Sequence, residues 1–151
     1  MRVLLLALAA LFLAAPAVAQ DGPDEDGVYN SSLERDPVLI GGLEGLMSRV
    51  RYPETSRRLG SEGTVYVQFV VDTDGSVFEV HPVRGPFTGV ERGPEPRDSD
   101  ERATWQLERE AAILLEHAAV EAVEASRFEP GMQKGRPVKV RYTLPVRFVL
   151  R

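Results

Sequence analysis

Several residue patterns in this chain have types and spacings suited to chemistry, and each has to be weighed against a plainer use. Asp72-Thr73-Asp74-Gly75 carries the alternate carboxylates that open a calcium loop. Such a loop needs further oxygen donors and a distal glutamate, which do not follow, so these residues suit a tight hairpin turn instead. His117 and Glu121 stand one helical turn apart and could share a metal, but two ligands make a poor site and His81 belongs to another element. A solvated helix face is the expectation there. Gly41-Gly42-Leu43-Glu44-Gly45 is glycine-rich, yet no strand and lysine frame it as a phosphate loop, which leaves a loop that starts a helix. The chain has no cysteine, no serine in a nucleophile-elbow setting, and carboxylates that fall on loops and polar faces. The expectation is a protein that is not an enzyme and needs neither metal nor cofactor.

The most informative pattern lies near the C-terminus. Val138, Val140, Tyr142, Leu144, Val146, Phe148 and Leu150 alternate with Lys139, Arg141, Thr143, Pro145, Arg147 and Arg151. That is a strand with one apolar and one basic face. Pro145 has no N–H and cannot donate to a ladder, so the odd residues are expected to turn their backbone groups toward an open edge. Lys139, Arg141, Thr143, Pro145 and Arg147 then form a candidate partner-binding edge, to which an extended peptide could add as a further strand. The bland alternative is that the basic residues merely guard the edge against aggregation.

The elements that must position this edge are legible upstream. Leu43, Leu46 and Val50 recur at helical spacing, and Pro53 suits the first turn of a helix ended by Gly60. Val65, Val67, Phe69 and Val71 share one face of a strand, and Ser76 to Arg84 returns as its hairpin partner. In that partner Val77 and Val83 are odd while Phe78 and Val80 are even, which implies a bulge or burial on both faces. Residues 85–97 hold three prolines and three glycines and read as a long projecting loop. Asp98 with Glu101 can cap a helix over about 99–126, whose stripe includes Trp105, Leu115, Ala118, Ala122 and Val123. The expected fold is α+β, a three-stranded antiparallel sheet with two helices packed on one face.

With 151 residues and 43% hydrophobic content, one compact domain is expected. The start reads as Met1-Arg2, an apolar run from Val3 to Ala15, and Ala17-Val18-Ala19, the pattern of a signal peptide cleaved after Ala19. The expected organisation is therefore a signal peptide at 1–19, a disordered acidic tether at 20–37 and a folded domain at 38–151. Export to the periplasm follows from it, the alternative being an inner-membrane anchor formed by residues 3–18. A net charge of −5 argues against a nucleic-acid binder.

Tyr52-Pro53, Glu62-Gly63 before the alternating strand, Asp74-Gly75 with Val77, Phe128-Glu129-Pro130-Gly131 and Leu144-Pro145-Val146-Arg147-Phe148 together resemble the TonB C-terminal domain family. The resemblance runs from about Val38 to the end. It implies a two-helix, three-stranded module whose final strand binds the N-terminal box peptide of an outer-membrane TonB-dependent transporter. Force-transmitting members of that family have an uncleaved N-terminal helix and a long proline-rich spacer. Here the leader reads as cleavable, and a tether of about 17 residues spans at most about 60 Å, so direct coupling to a proton motor is not expected. The expected function is a periplasmic peptide-binding module that assists transport. The alternative is a structural envelope protein that uses the same edge for homodimerisation or for a partner outside transport.

Overall fold

The computed structural model describes residues 22–30, 33–87 and 95–150. The expected signal peptide and the tip of the long loop lie outside the described residues. A central antiparallel sheet is built from β3 (Gly63–Val71), β4 (Val77–Arg84) and β7 (Arg136–Phe148), in the order β7-β3-β4. Val65, Val67, Phe69 and Val71 of β3 are all fully buried, and Val140, Leu144, Val146 and Phe148 of β7 are buried beside them. The period-two pattern of both strands thus decides which face meets the core.

The hairpin turn is closed by Asp72 and Asp74. Gly75 N–H donates to the Asp72 carbonyl at 3.0 Å, and the Asp74 carboxylate accepts from the backbone and side chain of Ser76 at 2.8 and 2.5 Å. Those two Ser76 hydrogen bonds, the side-chain one first, hold the Asp74 carboxyl below its ordinary pKa. The mixed parity of β4 resolves as a bulged strand, with register shifts against β3 between Tyr66 and Val67 and between Gln68 and Val70. Glu79 takes a φ of +52° inside the second irregularity.

Three helices cover the core where two were expected. The long helix α3 (Ser99–Glu124) begins where Asp98 predicted, the Asp98 side chain accepting from Asp100 and Glu101 N–H at 2.9 and 3.2 Å. Its buried stripe of Leu115, Ala118, Ala119, Ala122 and Val123 packs with β3 and β7. The segment upstream of β3 forms two short helices, α1 (Gly42–Arg49) and α2 (Glu54–Arg58). Pro53 separates them, because a proline disfavours helical backbone in the residue before it and caps the helix after it. Ser56 ties α2 to α3 by donating to the Ala111 carbonyl at 2.8 Å in a buried setting.

The α+β class is the one expected, but the sheet is wider than three strands. Residues expected as a disordered tether contribute β1 (Val28–Tyr29) and lead into β2 (Val38–Leu39), and short strands β5 (Phe128–Glu129) and β6 (Gly131–Gln133) precede β7. β2 pairs with β5, β6 forms a hairpin with β7, and β1 runs parallel to the start of β7. Val28 is 3% exposed, so the physical reason for the departure is burial of one apolar residue within a polar segment.

Val67→Asp places an uncompensated charge in the fully buried face of β3 and should destabilise the domain by roughly 3 kcal/mol or more. A thermal melt that stays cooperative and near the wild-type midpoint would disprove the register. Tyr142→Pro removes a ladder donor in the row opposite Phe69 together with a packed ring, and should cost about 3 kcal/mol or more in denaturant titration.

Candidate functional site

The β3–β7 ladder runs from Gly63–Phe148 to Val71–Val140 without a register shift, and Pro145 lies opposite Tyr66 within it. Antiparallel partners alternate between pairs that exchange hydrogen bonds and pairs that do not. Pro145 can only occupy the second kind, so Arg141, Thr143, Pro145 and Arg147 turn their backbone groups away from β3. Pro137, opposite Met132 of β6, obeys the same parity. β3 and β6 therefore share one side of β7, and the odd residues face the other.

That outer side is partly occupied. β1 pairs there, Val28 with Lys139 and Tyr29 with Val140. The expectation that the last strand is an edge along its whole length is thus corrected: β7 is interior at Lys139–Val140, and its outer side carries no strand among the described residues from Arg141 to Phe148. The open stretch is about 25 Å long. Near its C-terminal end Met47, Val50 and Tyr52 line a depression of about 270 Å³ together with Arg147, Phe148 and Val149.

The five predicted edge residues divide accordingly. Thr143, Pro145 and Arg147 are exposed. Lys139 is half-buried, paired with Val28, and its ammonium lies 5.5 Å from the Phe78 ring centre. Arg141 is also half-buried, with one terminal nitrogen 3.7 Å from the Asp24 carboxylate and 3.9 Å from that of Glu79. Its Nε is buried with no hydrogen-bond partner among the described residues. The Asp24 carboxyl is held below its ordinary pKa, first by the Val28 N–H that it accepts and in smaller part by the Arg141 charge. A carboxyl with a lowered folded pKa stabilises its contacts above the ordinary carboxylate range and loses that effect as pH falls through the lowered value. Asp24, Val28 and Tyr29 were missed as edge residues, although a valine and a tyrosine after Asp26-Gly27 are a strand signal inside a polar run.

The motif residues upstream of β7 hold the fold, Tyr52 doing so beside the C-terminal end of the open edge. The Tyr52 hydroxyl donates to the Ser61 carbonyl while its ring meets Phe148 edge-on at 5.6 Å, and Pro53 caps α2. Gly75, at φ +81°, leaves no room for a Cβ against the Phe128 carbonyl, and its own carbonyl accepts Phe128 N–H at 2.9 Å. Gly131 sits equally close, since a Cβ there would lie 2.6 Å from the Val140 side chain. Gly63 begins β3 under Pro86, and Pro130 joins β5 to β6. Among the described residues no group of three or more His, Asp or Glu side chains could hold a metal, and no helix is long and apolar enough to cross a membrane. His117 is exposed, and the Asp72–Gly75 segment is consumed by its turn.

The sequence model of the family described as the C-terminal of the Gram-negative bacterial TonB protein matches residues 48–86 and 108–150, more than half of the chain. Protein TonB of Vibrio cholerae serotype O1 is 23% identical over 130 residues, which cover 85% of this chain and 43% of that protein. The chain thus spans less than half the length of that relative. The solution structure of the Helicobacter pylori TonB C-terminal domain shares 24% identity, covering 72% of this chain and 76% of that one with a TM-score of 0.44. The matched residues take in β3, the hairpin turn, the second half of α3 and the whole of β7, and on that match the chain belongs to the TonB C-terminal family.

Proposed function

We propose that this chain is a non-catalytic, exported peptide-capture module that adds an extended segment of an outer-membrane TonB-dependent transporter to the outer side of β7, and so assists transport across that membrane. The single observation that carries the reading is the stretch from Arg141 to Phe148, which pairs with β3 without a register shift and carries no strand on its outward-facing side among the described residues. Of the sheet's two margins it is the one fit for pairing. β4 is interrupted by two register shifts and carries Pro82, features that blunt an edge. Main-chain groups of Thr143 and Arg147 supply donors and acceptors, Arg141 and Pro145 supply acceptors, and the basic side chains favour a partner with acidic residues. Export is supported by the leader pattern of residues 1–19.

Four or five new backbone hydrogen bonds, each adding about 0.5 to 1.5 kcal/mol, must offset the cost of association, so a micromolar complex is expected. Thr143→Pro removes one outward N–H without touching the ladder to β3. It should weaken capture of the N-terminal box peptide of a transporter from the same genome by roughly 3- to 10-fold while leaving the thermal midpoint nearly unchanged. Equal titration curves for variant and wild type would sink the edge-capture mechanism. A chain that dimerises in sedimentation, and becomes monomeric on the same substitution, would show that the edge serves self-association instead.

A further inference from the structure

The two halves of the N-terminal segment are held by very different means. Residues 33–39 are fastened to the stretch before β7: Arg35 exchanges backbone hydrogen bonds with Met132 at 3.2 and 2.8 Å, Glu34 N–H donates to the Gln133 side chain at 3.0 Å, and the Arg35 guanidinium meets Glu129 at 2.9 Å. Pro37 is buried, and Val38 and Leu39 form β2 against β5. Residues 23–30 instead satisfy themselves. Asp24 N–H donates to the Val28 carbonyl at 2.8 Å, Gly27 N–H donates to the Asp24 carbonyl at 3.0 Å, and the Asp24 carboxylate accepts Asp26 and Val28 N–H at 3.1 and 2.9 Å.

What ties this closed loop to the domain is slight. Among the described residues it consists of the two pairs of the β1–β7 ladder, the burial of Val28, and the Asp24–Arg141 ion pair at 3.7 Å. An ion pair with both side chains about a third exposed contributes little, and at this distance no hydrogen bond strengthens it. Val28 lies outside the main core cluster, so its withdrawal leaves the sheet and helices packed.

We propose that residues 23–30 are a built-in, displaceable occupant of the capture edge, an arm that sets the threshold for partner binding. The proposal rests on the strand-capture reading and concerns the regulation of that same site. The arm holds the outward side of Lys139–Val140, so a strand that pairs with the whole outer side of β7 must eject it. Residues 33–39 stay fastened, which keeps the ejected arm at high local concentration and ready to return. The partner's apparent affinity is reduced by the fraction of time that the arm is docked. A partner carboxylate placed where Asp24 sits would also take over Arg141, whose Nε has no hydrogen-bond partner among the described residues.

The test uses the full chain and the double variant Asp24→Asn with Val28→Ser, which undocks the arm without altering β7. Three measurements are made: amide hydrogen exchange at Lys139 and Arg141, binding of a labelled synthetic peptide copying residues 23–30, and binding of the transporter box peptide. The arm predicts faster exchange in the variant, binding of the 23–30 peptide by the variant and not by the wild type, and about tenfold tighter capture of the box peptide by the variant. Box-peptide affinity that is unchanged or weaker in the variant overturns the arm as a competitor while leaving strand capture standing. If neither chain binds the box peptide, strand capture itself fails and the 23–30 peptide decides the rest. Its binding to the variant alone retains a displaceable arm, and its binding to neither overturns one.

Discussion

The unbroken ladder between Gly63–Val71 and Val140–Phe148 is the constraint on which the rest of the structure depends. Nine consecutive pairs leave no freedom of register, and a slip of one residue would exchange the apolar set of β7 for its basic set against α3. The same ladder sets the polarity of the backbone. Because Pro145 cannot donate, its parity decides that every odd residue of β7 presents its main chain away from β3. The core and the outward-facing edge are thus two consequences of one alternation, apolar side chains on the even positions and outward backbone groups on the odd ones.

The glycines of the family motif work at the next level, where separate elements meet. The hairpin turn at Asp72–Gly75 would be an ordinary surface feature but for Phe128, whose N–H is accepted by the Gly75 carbonyl and whose ring packs 5.1 Å from Phe69. This contact joins the exit of α3 to the far end of the β3–β4 hairpin. A Cβ at Gly75 would collide with that junction and one at Gly131 with the side chains of Val140 and Leu33, so both positions need glycine for space, and Gly75 needs it for its backbone angle as well. Motif residues here build the scaffold on which the outer side of β7 is presented, and that side offers backbone groups that any residue but proline supplies in full.

An open sheet margin invites unwanted pairing as readily as wanted pairing, and the two margins of this sheet handle that hazard differently. β4 is bulged, carries Pro82 and takes a positive φ at Glu79. β7 keeps an unshifted ladder to β3, and its outer side is covered at Lys139 and Val140 by β1, with Arg141 and Arg147 along the remainder. A cover that can be displaced, as proposed for residues 23–30, is compatible with binding at that margin. The difference between the margins therefore agrees with a capture function for β7 and a closed one for β4.

The alternation of β3 and β7, the Asp-Gly turn, the Asp98 cap and the amphipathic stripe of α3 were all legible in the sequence, because each rests on residues close together in the chain. The division of the upstream segment into α1 and α2 was half legible, since Pro53 marks the break while only packing against α3 shows that both short helices form. The parity of the outward backbone could be read from Pro145 alone. Whether that side is empty could not, because occupancy depends on a segment more than a hundred residues earlier. Val28 and Tyr29 form a strand only when Lys139 and Val140 offer them an edge, and two residues have no hydrogen-bonded structure of their own in isolation. Local pattern therefore determined the strands, their faces and the direction of their backbone groups. Only the tertiary structure decided which of those groups already have a partner, since that partner comes from the far end of the chain.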